Sequence, residues 1–147
     1  MILIAHRGNI NGRNKKRENK IDYILEALSL GYDVEIDIRF SLLENDYFLG
    51  HDSMQEKCPK DILCSDNTWV HAKDIKTFKN LLDQDITNTF FHNNDDVVLT
   101  SSGYLWTYPG KELTEKSIQV MPEYVDEEFS DICYGICSDN ISNYRKR

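Results

Sequence analysis

The chain opens on a short apolar run, Met1-Ile2-Leu3-Ile4-Ala5, that ends in His6-Arg7-Gly8. A run of this length and β-branched content fits a strand. The next stretch, Asn9 to Arg17 (NINGRNKKR), is polar, basic and rich in turn formers, so a loop is expected there. From Glu18 the period changes. Ile21, Ile24, Leu25 and Leu28 share one helical face, and Gly31 supplies a stop. Asp33 to Arg39 then sets Val34, Ile36 and Ile38 against Glu35, Asp37 and Arg39, the alternation of a strand. Strand, helix, strand in this order is the pattern of a parallel sheet with its crossover.

Residues 41–50 (SLLENDYFLG) read as a small hairpin or extended excursion returning at His51. After a loop of turn residues, Thr68 to Ala72 (TWVHA) is a strand candidate, and Asp74 to Leu82 follows as a helix with Asp74 as its N-cap. Thr87 to His92 is the next strand. Beyond it the rhythm changes: 97–100, 104–108, 117–121 and 132–137 are strand candidates whose links are mostly too short for a helix of ordinary length. No internal repeat, low-complexity tract or linker interrupts the chain, so residues 1–147 are expected to form one domain.

Composition narrows the function. The chain has 147 residues and a formal net charge of −8, which disfavours broad binding to nucleic acid or to an anionic membrane. No run approaches the roughly 18 apolar residues of a membrane span. The apolar opening is too short for a signal peptide, and Arg7 follows it. Cys58, Cys64, Cys133 and Cys137 do not fall at a zinc spacing. A disulfide pair is open to them, but reduced thiols in a cytoplasmic protein are the expectation.

Residues two apart on a strand point to one face, so Glu35 and Asp37 project together. On a buried parallel strand they repel unless a cation lies between them, and hard oxygen ligands favour Mg²⁺ or Ca²⁺. The alternative is a solvent-exposed face, as on the wet side of an antiparallel sheet. His6 falls at the carboxyl end of the first strand, where sites gather in parallel β/α folds. His51-Asp52 follows the second strand closely enough to fold back over the same mouth. Two histidines flanking a carboxylate-held cation suit acid/base cleavage of a phosphodiester.

The series His6-Arg7-Gly8, Glu18-Asn19, Glu35-Ile36-Asp37 and Gly50-His51-Asp52 resembles the signature of the glycerophosphodiester phosphodiesterase family, in order and in spacing. The resemblance implies an α/β fold, a TIM-type (β/α) barrel of the phospholipase-C-like phosphodiesterases. It also implies a divalent cation, Mg²⁺ or Ca²⁺, held by Glu35 and Asp37, with His6 and His51 as the catalytic pair. Farther along, Trp69 to Lys73 resembles the family's third strand, in which a carboxylate binds metal and a lysine contacts phosphate. Here Lys73 is kept and His71 stands where the carboxylate would be, so His71 or Glu123 is the candidate third ligand. Tyr134 to Asp139 resembles the family's closing strand.

A barrel of this type takes about 250 residues, so the expectation here is a pared-down barrel with several outer helices missing in the second half. Strands without outer helices leave Leu105, Trp106 and Tyr108 in need of cover, which a homo-oligomer would supply. Arg7 and Lys73 are expected to bind the phosphate oxygens. Glu18 would face the metal through water, or simply begin the helix. Asp52 would orient His51 or a site loop, and His92 would line the pocket. Arg13, Lys15, Lys16 and Arg17 would attract an anionic substrate, or form a solvated loop. The expected activity is hydrolysis of a glycerophosphodiester or a similar small phosphodiester. The alternatives are a phospholipase-like lyase forming a cyclic phosphate, and a catalytically decayed barrel used as a binding or assembly module.

Overall fold

The computed structural model describes residues 1–145. Ile2–His6 forms β1, Ile21–Ser29 forms α1 and Asp33–Ser41 forms β2. The two strands run parallel with His6 beside Glu35, as the opening pattern predicts. α1 begins at Ile21 rather than Glu18, because residues 15–19 form a turn that ends with Asn19 at φ 58°. Its buried face is Tyr23, Ile24 and Ala27; Leu25, expected on that face, is exposed.

β3 (Asp46–Leu49) turns back antiparallel on the second half of β2, and β4 (Glu56–Lys57) follows it. α2 (Lys60–Leu63) lies in a stretch read as loop. β5 (Thr68–Ala72) pairs in parallel with the first part of β2. Asp74 accepts a hydrogen bond from Thr77 N at 2.8 Å and caps α3 (Ile75–Asp83), as its position predicts. Then come β6 (Thr89–Phe90), β7 (Val97–Leu99), β8 (Leu105–Thr107), β9 (Ser117–Val120) and β10 (Gly135–Ser138). β10 returns to lie parallel beside β1.

The pared-down TIM-type barrel is not what the chain builds. The described residues form a mixed sheet of ten strands curled into a half-barrel, with three α-helices among them. The strand path is β4-β3-β2-β1-β10-β9-β8-β7, and β5 branches from β2 to reach β6. Antiparallel pairs at β2–β3, β3–β4 and β7–β8 interrupt the parallel run. Length is the physical reason. A strand-helix-strand unit takes about 30 residues, and 147 residues cannot supply eight. After β6 the links hold only 3₁₀ turns, at Pro122–Val125 and Ile141–Tyr144, among the described residues.

Each face of the sheet has its own core. On one side, Ile24, Ala27, Ile62, Leu63 and Leu81 from the helices pack on Val34, Ile36, Ile38, Val70 and Ala72. Within the curl, Ile4, Trp69, Phe90, Trp106, Ile118 and Val120 form a second cluster. Trp106 stacks on Phe90 with ring centroids 4.6 Å apart, so it finds cover inside its own chain. Ser101 N donates to Thr89 O at 2.8 Å across the same seam. No helix among the described residues is long and apolar enough to cross a membrane.

Candidate functional site

Strand register assembles the site. His6 lies beside Glu35 across β1–β2, and Asp37 lies beside His71 across β2–β5. Val34, Ile36 and Ile38 belong to the helix-covered core, so the alternate residues Glu35 and Asp37 turn into the curl. Neither is on a wet face: Glu35 is 2% exposed and Asp37 is fully buried.

Five side chains surround the two acids. His6 Nε2 is 3.7 Å from Glu35 Oε2, and His71 Nδ1 is 3.8 Å from Glu35 Oε1 and 3.2 Å from Asp37 Oδ1. Arg7 Nε reaches Asp37 Oδ2 at 2.8 Å, and Lys73 Nζ reaches Asp37 Oδ1 at 3.3 Å. Asn19 donates to Asp37 Oδ2 at 2.9 Å. Burial and the charge of Asp37 push Glu35 up to about 7. Burial alone would raise Asp37 too, but the His71 ring and the charges of Arg7 and Lys73 outweigh it and hold Asp37 well below the carboxylate range. Burial lowers His71 to about 4, which leaves it a neutral ring.

Three ligand atoms, one each from Glu35, Asp37 and His71, lie within 4.8 Å of one another. Asp37 Oδ1 is buried and accepts no aligned hydrogen bond. Two carboxylate oxygens and one imidazole nitrogen, with Asp37 Oδ1 held only by charge contacts to His71 and Lys73, fit a divalent cation. Glu123 is outside this cluster. Its Oε1 accepts from Ser138 Oγ at 2.6 Å and from Asp139 N at 3.1 Å, which ties it to the end of β10. Glu18 neither joins the cluster nor starts α1; it accepts from Asn9, Arg7 and Arg13 at 3.0–3.3 Å and clamps the first loop.

The turn carrying His51 is held from below. Gly50 N donates to Asp37 O at 3.0 Å, and the Arg39 guanidinium donates to Gly50 O at 3.3 Å and to His51 O at 2.6 Å. Gly50 has φ 141°, and a Cβ there would meet Ser53 O at 1.9 Å, so only glycine fits. His51 Nδ1 pairs with Asp52 Oδ1 at 2.7 Å, on the water-facing side.

His6 has a carboxylate partner that sequence reasoning assigned no role. Asp139 Oδ1, just past β10, sits 2.7 Å from His6 Nδ1 and also accepts from Asn9 Nδ2 at 2.8 Å. Tyr124 OH donates to its other oxygen at 2.5 Å. Asp139 was visible as the last residue of a motif, but nothing local ties it to a histidine more than a hundred residues away. Arg39 was likewise read only as the polar side of a strand.

A cavity of about 310 Å³ is lined by His6, Arg7, Glu35, His51, His71 and Lys73, with His92, Trp106 and Tyr108 on its aromatic wall. His92 thus lines the pocket as expected, with Nε2 held by Tyr108 OH at 2.8 Å. Comparison with protein-family models, curated proteins and solved structures finds no match.

Proposed function

We propose that the chain is a metal-dependent phosphodiesterase acting on a glycerophosphodiester or a similar small phosphodiester, in line with the family its motifs resemble. The observation that carries this reading is the cavity that His6, His51, Arg7 and Lys73 line together above Glu35 and His71. Glu35, Asp37 and His71 would hold a divalent cation such as Mg²⁺ or Ca²⁺. When bound, such an ion polarises phosphoryl oxygens and stabilises developing negative charge.

Arg7 and Lys73 would hold the non-bridging oxygens, one by its planar fork and the other as a point charge. Both histidines present Nδ1 to an aspartate at 2.7 Å, which leaves each Nε2 for proton transfer. A protonated His6 would face Asp139 on one edge and Glu35 on the other. That suits it to give the proton to the leaving alkoxide. His51, beside open water, would take the proton from the attacking hydroxyl. If that hydroxyl is water the product is a monoester, and if it is the substrate's own the product is a cyclic phosphate.

A binding module is the second reading. One observation favours it: Arg7 and Lys73 already neutralise Asp37 by direct ion pairs. Incubation with bis(p-nitrophenyl) phosphate and glycerophosphocholine, with and without Mg²⁺ or Ca²⁺, separates the two. Metal-dependent turnover that disappears when His6→Ala and His51→Ala are combined supports the enzyme. No turnover under either metal, or turnover that survives the double substitution, defeats it.

A further inference from the structure

We propose that the loop after β1 forms a second anion subsite, so that the favoured substrate is a phosphodiester whose alcohol carries a further phosphate group. This deepens the phosphodiesterase reading and rests on it. Two more cavities continue from the first. One of about 420 Å³ shares Arg7 and His51 with it, and another of about 620 Å³ shares Arg13 and Lys15 with the second. Five cationic side chains, Arg7, Arg13, Lys15, Lys16 and Arg17, line these two outer cavities against three carboxylates, Glu18, Glu26 and Asp52. Glu18, Asp22, Glu26 and Asp37 answer the arginines, so the positive charge left over is that of Lys15 and Lys16, and in a chain of net charge −8 it marks a place for an anion.

The loop is built rather than loosely solvated. Gly12 N donates to Asp139 O at 2.8 Å, and Asn14 N donates to Asn9 Oδ1 at 3.0 Å. Glu18 joins Arg7 to Arg13, and Asn19 fastens the far end of the loop to Asp37. The same contacts that hold the buried acids therefore hold the basic loop. Arg7, Arg13 and Arg17 are engaged by carboxylates. Lys15 and Lys16 form no ion pair among the described residues, so their charges are free for a ligand. A diester phosphate over Arg7 and Lys73 would leave the substituent on one of its alcohols running toward Lys15 in the adjoining cavity, with Lys16 in the cavity beyond it. A phosphomonoester there meets two unpaired ammonium groups; a neutral alcohol meets none.

Titration calorimetry on the full chain tests this with glycerophosphoinositol and glycerophosphoinositol 4-phosphate, which differ only in the second phosphate. The 4-phosphate should bind about tenfold tighter, equivalent to about 1.4 kcal/mol, and salt should erode the difference. Lys15→Ser with Lys16→Ser should abolish the preference, lowering affinity for the 4-phosphate about tenfold more than affinity for glycerophosphoinositol. Equal affinities in the native chain, no measurable binding of either ligand, or a preference that survives the double substitution overturns the proposal. Binding is read without turnover, so a chain that prefers the 4-phosphate and hydrolyses nothing upholds the subsite while defeating the enzyme. Sedimentation with phosphatidylcholine vesicles containing phosphatidylinositol 4-phosphate covers the lipid source. Capture by those vesicles without preference for the soluble 4-phosphate assigns the loop to a membrane and overturns the proposal.

Discussion

Replacing Asn19 by Ala removes two buried hydrogen bonds at once. Asn19 Nδ2 donates to Asp37 Oδ2 at 2.9 Å, and Asp37 N donates back to Asn19 Oδ1 at 3.0 Å. Asn19 is 2% exposed and Asp37 0%, so water does not reach the orphaned groups without opening the site. The bond to the ionised carboxylate contributes about 1.5–3 kcal/mol, and leaving the Asp37 amide unpaired costs about 1–3 kcal/mol. Asn19 also holds φ at 58°, a region asparagine tolerates better than alanine because its polar side chain bonds locally, so the substitution adds some backbone strain. These contributions overlap, because the loop can relax, and the expected loss for Asn19→Ala is about 3–6 kcal/mol. That is a large share of the roughly 5–15 kcal/mol of an ordinary domain. Glycine tolerates the positive φ, so Asn19→Gly should be about 1 kcal/mol more stable than Asn19→Ala. Urea denaturation followed by far-ultraviolet circular dichroism measures both, provided the slope m is unchanged. A loss under about 1 kcal/mol for Asn19→Ala, or a glycine variant no better than the alanine one, would refute the reasoning.

Other perturbations probe the same architecture. Glu35 is pushed up to about 7, so between about pH 4.5 and pH 7 it stays protonated in the cation-free fold while the unfolded chain has ionised. Native stability minus that of Glu35→Gln should therefore fall with rising pH across this window, by at most about 1.4 kcal/mol per unit, and level off above it; a flat difference argues against the burial of that carboxyl. Asp139→Asn should lower turnover of bis(p-nitrophenyl) phosphate about 10²-fold or more and displace the pH–rate profile, since His6 loses the charged partner on Nδ1; an unchanged profile removes Asp139 from the mechanism. Gly50→Ala drives a Cβ against the Ser53 carbonyl, so kcat should drop with the displaced His51 turn, and unaltered kinetics would show that this turn does not position His51. Phe90→Ala takes out a fully buried ring stacked between Trp106 and His71, with an expected cost of about 3–5 kcal/mol by calorimetric or urea unfolding.

Much of the site was legible because its parts obey short-range periodicities. Glu35 and Asp37 share a face by the period of two, His6 ends β1, His51 comes two residues after β3, and Lys73 comes one residue after β5. The contacts that orient these groups were not legible. Asp139, Asn9 and Tyr124 converge on His6 only because β10 closes beside β1. Glu123 was within reach as a third ligand on sequence position, yet Ser138 and the Asp139 amide take its carboxylate. Arg39, on the polar side of β2, turned out to hold the backbone of the His51 turn.

From the residues alone came the β1–α1–β2 order, the Asp74 cap, the strands after residue 92 with links too short for helices, and the shared face of the two acids. Each depends on propensity or spacing within a few residues, where backbone geometry leaves little choice. Tertiary structure decided that the sheet is mixed and curled rather than a (β/α) barrel, that β2 serves three neighbours, and that Trp106 is covered from within. Strand pairing and curvature follow from how a limited length of chain covers two apolar faces at once, and that balance belongs to the packed whole rather than to any local stretch.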